Sequence, residues 1–107
     1  MPPYKHKVAI IGCGRMGQKY AYAYSNYPDT EIVAIAESNE KRRKIVGGKF
    51  GVQKLYPNAH ELLEQVIPDI AAIITPTKFY KEAVITCAQA GVKAISIDKP
   101  IAAKLSN

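Results

Sequence analysis

Val8-Ala9-Ile10-Ile11-Gly12-Cys13-Gly14-Arg15-Met16-Gly17 decides the fold of this 107-residue chain. The stretch reads as a short apolar strand running directly into G-x-G-x-x-G. That order suits the pyrophosphate of a dinucleotide. Gly12 permits a tight turn out of the strand. Gly14 lacks a Cβ, so backbone can approach phosphate closely. Gly17 lets the following helix pack tightly on the strand. The helix then starts under the pyrophosphate with free N–H groups and a partial positive charge. The loop Gly12, Cys13, Gly14, Arg15, Met16 and Gly17 is therefore a candidate phosphate cradle.

A lone glycine motif carries little weight, and its surroundings strengthen it. The first strand covers 7–11 and the first helix 15–27, ended by Pro28. A second apolar strand over 31–37 suits burial on both faces. A helix over 40–50 follows, weakened at Gly47-Gly48, then a short strand over 54–56. The next helix, 59–66, has Asn58 as N-cap, Glu61 at the capping-box position and Pro68 as a stop. A strand over 70–75, a helix over 79–90 capped by Gly91, and a strand over 93–97 complete the series. Such alternation predicts α/β architecture: a Rossmann-like, doubly wound parallel sheet in three layers. The expected strand order is 3-2-1-4-5. A further helix would begin near Asn107, so the fold is expected to be incomplete at its C-terminal end. Ligand is expected at the carboxyl ends of the strands, where the order switches between strands one and four.

Composition narrows the classes. The formal net charge of +6 is spread along the chain, apart from Lys41-Arg42-Arg43-Lys44 at a helix start. No aromatic ladder accompanies that run, so it reads as a solvated face and not a nucleic-acid surface. A basic balance does help to attract anionic cofactors and substrates. No apolar run approaches the ~20 residues that cross a membrane. The N-terminus has no secretory pattern, which favours the cytoplasm. Cys13 and Cys87 are isolated, without metal-like spacing, and read as buried small residues; no metal site is expected.

Other segments fall at the same sheet edge. Glu37 stands twenty residues after Gly17, at the end of the second strand. A carboxylate there can accept from ribose hydroxyls and repel the extra phosphate of NADP, which favours NAD over NADP. Ser38, Arg42 and Arg43 are the opposing candidates for holding a 2′-phosphate. Thr75-Pro76-Thr77 forms a strand-to-helix turn whose threonines can bond to ribose or amide; Thr77 can equally be a helix cap. Asp98-Lys99-Pro100 follows the fifth strand. A lysine there can hold a substrate hydroxyl and help shuttle its proton, although a turn lysine is more often simply solvated. A FAD domain shares the glycine motif but not these turns. A methyltransferase would need glycine at Met16. A dinucleotide-binding or sensing module without chemistry is the main alternative to an enzyme.

GCGRMG at 12–17, Glu37, TPTKFY at 75–80 and AGVKAISIDKPIA at 90–102 together resemble the Gfo/Idh/MocA family of oxidoreductases. The resemblance spans essentially the whole chain. It implies an NAD(P)-binding Rossmann domain, here 1–107, followed by a larger α/β domain that these residues do not include. It implies hydride transfer between nicotinamide and a hydroxyl-bearing carbon of a sugar or polyol, with homo-oligomers possible through the second domain. The family's E-K-P motif falls on Asp98, Lys99 and Pro100, which places its substrate- and cofactor-contacting lysine at Lys99, the candidate catalytic residue. Its T-P-N-x-x-H motif falls on Thr75, Pro76, Thr77 and, in place of histidine, Tyr80. With its substrate domain absent, the chain alone is expected to be inactive.

Overall fold

The structure is a computed structural model that describes residues 5–75 and 77–97, with the side chains of 77–80 and 97 outside the description. The elements are β1 (His6–Ile11), α1 (Arg15–Asn26), β2 (Thr30–Ala36), α2 (Glu40–Phe50), β3 (Leu55–Tyr56), α3 (Ala59–Gln65), β4 (Ile70–Ile73), α4 (Thr77–Ala90) and β5 (Ala94–Ile97). All strands pair in parallel, in the order β3-β2-β1-β4-β5. This is the doubly wound arrangement expected from the alternation. The order reverses between β1 and β4.

Strand alternation sends side chains to two cores. Val8 and Ile10 of β1 join Ala21 of α1 and Val46 of α2 on one face. Ala9 and Ile11 join Leu62 and Leu63 of α3 and Cys87 of α4 on the other. Fully burying each Val, Ile or Leu stabilises the fold by about 1.5–3 kcal/mol. Alanines occupy much of the sheet centre: Ala9, Ala34, Ala71 and Ala72 are fully buried. Their small volume brings the helices close to the strands. The β1–β2 register slips at Val8/Ala9, where Val33 is passed over.

Helix ends are closed by local side chains. Asn58 Oδ1 accepts the Glu61 N–H at 2.8 Å, and Asn58 Nδ2 donates to the Glu61 carboxylate at 3.0 Å. This is the expected capping pair, with the amide side chain replacing the backbone N–H as the second donor. Asn39 caps α2 by accepting the Arg42 N–H at 2.9 Å. Two expectations need correction. The α2 helix passes unbroken through Gly47-Gly48 and stops at Gly51, which is left-handed. Gly47 sits under Leu55, whose methyls would lie 2.8 Å from an added Cβ, so packing outweighs its low helix propensity. Similarly, β4 ends at Ile73 and α4 starts at Thr77, two residues before the expected start. Thr77 is thus the first residue of that helix and not its cap. Among the described residues, no helix is long and apolar enough to cross a membrane.

Candidate functional site

Three glycines build the turn, and each has a different reason to be bare. Gly12 has φ +98°, and a Cβ there would lie 2.6 Å from the Ile74 carbonyl oxygen. Only glycine tolerates that backbone and that approach. A Cβ on Gly17 would collide with the carbonyl oxygen of Gly12. Gly14 differs. Its backbone is ordinary extended, φ −69° and ψ −165°, and a Cβ there would meet nothing within 4 Å. Among the described residues, no protein atom requires glycine at this position. It caps α1, and no side chain supplies the cap hydrogen bond. The N–H groups of the first turn that follows have no intrahelical acceptor. The result is an open cradle at the positive end of a helix dipole.

The expected residues gather at this sheet edge as far as the description reaches. Cys13 N–H donates to Glu37 Oε1 at 2.7 Å, so the loop and the end of β2 touch directly. Gly12 N–H donates to the Ala36 carbonyl, and Ile74 N–H to Ile11, both at 2.8 Å. The segment Ile74-Thr75 therefore lies against the glycine turn. Among the described residues, Thr75 Oγ1 is buried without a hydrogen-bond partner. An orphaned buried hydroxyl fits a site completed by a ligand. Thr77 and Tyr80 lie in the first turn of α4, with side chains outside the description. Pro76, Asp98, Lys99 and Pro100 also lie outside it. β5 pairs with β4 as far as Ile73–Ile97.

Glu37 is 8% exposed. Its second oxygen accepts the Asn39 N–H at 2.9 Å and stands 3.7 Å from Arg42. Arg43 donates to the Glu37 carbonyl at 2.8 Å. Both arginines are thus turned onto Glu37. A groove of about 290 Å³ runs alongside, lined by Gln18, Asn39, Lys41, Arg42, Ile45 and Val46.

A family profile described as "oxidoreductase family, NAD-binding Rossmann fold" matches residues 6–107. The chain belongs to the Gfo/Idh/MocA family of oxidoreductases. Similar relatives include a D-apiose dehydrogenase of Paraburkholderia graminis, 33% identical over 96% of this chain and 27% of the relative. A myo-inositol 2-dehydrogenase of Thermotoga maritima is 32% identical over 94% of this chain and 30% of its own length. An Agrobacterium radiobacter oxidoreductase solved with NAD+, L-tartaric acid and magnesium superposes with TM-score 0.83 at 31% identity, covering 91% of this chain and 28% of that one. The chain thus spans under a third of the family members it matches.

NAD is the cofactor of this family fold, and the residues present fit it. The bare cap at Gly14 leaves room for pyrophosphate. Among the described residues, the Thr75 hydroxyl lacks a partner, and Glu37 keeps unused lone pairs beside the loop. A carboxylate has about four acceptor positions, and backbone N–H groups take two of them.

Two neighbours of this site escaped the sequence reading. Asn39 holds α2 and donates its N–H to Glu37; an asparagine just before a charged helix start is a readable cap signal. Gln18 Nε2 donates to the Cys13 carbonyl at 3.1 Å. Nothing in its spacing marks it.

The cysteines are buried and free, as their isolation suggested. Burial pushes the Cys13 thiol up to about 12, with the Glu37 charge adding to the rise and Arg42 opposing it. Burial alone pushes Cys87 up to about 11. Well below pH 9 both thiols are largely neutral in either state. Above it the unfolded chain ionises first, so stability falls as pH rises from 9 through the folded values. We expect neither thiol to react with a thiol reagent at pH 8 until denaturant is added. Between pH 9 and 11 a Cys13→Ala, Cys87→Ala chain should lose less stability than the unaltered one. Urea melts across that range check this.

Proposed function

We propose that residues 1–107 are the NAD-binding domain of a dehydrogenase acting on a hydroxyl-bearing carbon of a sugar, polyol or related small molecule. The observation that carries the reading is Gly14: a glycine bare for no internal reason, at an open helix N-terminus. The relatives' activities on apiose and inositol support the substrate class. In this reading, the N–H groups of the 12–17 loop hold the pyrophosphate. Glu37 accepts from the adenosine ribose and disfavours a 2′-phosphate, so NAD is preferred to NADP. Thr75, Pro76, Thr77 and Tyr80 border the nicotinamide half. Asp98-Lys99-Pro100 presents Lys99 to the substrate hydroxyl, where it moves a proton. Bound NAD supplies the hydride acceptor. Walls that position the substrate and exclude water belong to a second domain outside these residues. Two free, buried cysteines suit a reducing compartment such as the cytoplasm.

The test is calorimetric titration of the chain with NAD and NADP, beside an NAD-reduction assay on a panel of polyols. The chain should bind NAD more tightly than NADP and reduce neither. No NAD binding would end the proposal. Turnover by these residues alone, abolished by Lys99→Ala, would remove the need for a second domain.

A further inference from the structure

We propose that Gln18 and Glu37 are positioning residues that clamp the two peptide planes flanking the Cys13 Cα, and so aim the glycine loop at the pyrophosphate. This rests on the dinucleotide reading and deepens it. The loop faces a mechanical problem. Cys13 lies between Gly12 and Gly14, the two residues with the greatest backbone freedom. Left alone, its peptides would swing among several orientations, and ordering them on binding would weaken affinity.

The structure holds each plane by one side chain. Cys13 N–H belongs to the Gly12–Cys13 peptide, and Glu37 Oε1 takes it at 2.7 Å in a buried setting. The Cys13 carbonyl belongs to the next peptide, and Gln18 Nε2 holds it at 3.1 Å. A trans peptide is planar, with C=O and N–H opposed. Fixing the Cys13 carbonyl therefore fixes the direction of the Gly14 N–H, the donor at the open cap. Gln18 also anchors the helix start, since its own N–H donates to the Gly14 carbonyl at 3.0 Å. Glu37 is itself held, by the Asn39 N–H on its other oxygen. Glu37 thus has two roles: it keeps acceptor positions for ribose and spends one on the loop.

The test separates those roles with an NAD analogue lacking the adenosine 2′ and 3′ hydroxyls. Gln18→Met keeps length and loses the amide. It should weaken NAD and the dideoxy analogue equally, by about tenfold, the effect of one lost orienting hydrogen bond, with the melting midpoint nearly unchanged. Glu37→Ala should weaken the analogue by a similar factor and NAD by more. Gln18→Met binding like the unaltered chain would overturn the proposal. So would a Glu37→Ala chain that binds the analogue as well as the unaltered chain does, because Glu37 would then read ribose alone. Failure of the unaltered chain to bind NAD would overturn the dinucleotide reading itself.

Discussion

Gly14→Val should lower NAD affinity by at least about a hundredfold, roughly 2.7 kcal/mol, in a chain that still folds. The two halves of this expectation come from one site. Valine accepts φ −69° and ψ −165° without strain, and its Cβ meets no atom of the described residues within 4 Å. Folding should lose no more than about 1 kcal/mol, the difference between a good and a poor N-cap. The branched side chain would instead fill the space over the first turn of α1. A pyrophosphate seated there would be displaced from its N–H donors. Calorimetry measures the affinity and a thermal melt the fold. Unchanged NAD affinity would move the phosphate away from this loop. Loss of folding would mean that Gly14 serves packing after all.

Gly17→Ala should do the opposite and destabilise the fold itself, with or without ligand. Alanine in a helix interior normally gains about 1 kcal/mol over glycine. Here its Cβ would collide with the Gly12 carbonyl oxygen, with the carbonyl carbon only 2.9 Å away. That obstacle is backbone, in the peptide whose other end, the Cys13 N–H, is held by Glu37 at 2.7 Å. It cannot yield as a side chain would. Overpacking of this kind costs about 1–3 kcal/mol or more, a large share of a small domain's stability. Gly48→Ala is the control. Gly48 is exposed in α2 with nothing within 4 Å of an added Cβ. It should stabilise the chain by up to about 1 kcal/mol. Urea melts of both variants check the contrast. Equal midpoints would mean that α1 can shift away from β1.

What the residues disclosed follows the range of the forces involved. Short-range rules served well. Asn58 with Glu61 marked the start of α3, and Glu40 and Phe50 bounded α2 as expected, because caps and periodicity act within one or two turns. The strand order followed from the alternation of strands and helices, read as a doubly wound sheet. Contacts across the sheet edge were less legible. Glu37 was readable as a carboxylate near ribose, but its bond to Cys13 joins residues 24 apart in sequence. The bridge from Gln18 to the Cys13 carbonyl depends on how the helix leaves the turn, which no spacing rule encodes. Gly47 looked like a weak point because its value lies in Leu55, on another element. The expected start of α4 at 79 fell two residues late, because helix boundaries carry little local signal.

The position of β1 has a consequence for how the chain comes into being. It is first in sequence and central in the sheet, with β2 on one side and β4 on the other. Its β2 partners begin at Thr30, but Val8 meets Ile70 only 62 residues later. A ribosome adds about 5–20 residues per second, so this edge of Val8–Ile11 waits several seconds for its mate during synthesis. Throughout that interval the newborn chain carries an apolar strand with one unsatisfied edge, and whatever shields nascent polypeptides must cover it until Ile70–Ile73 emerges.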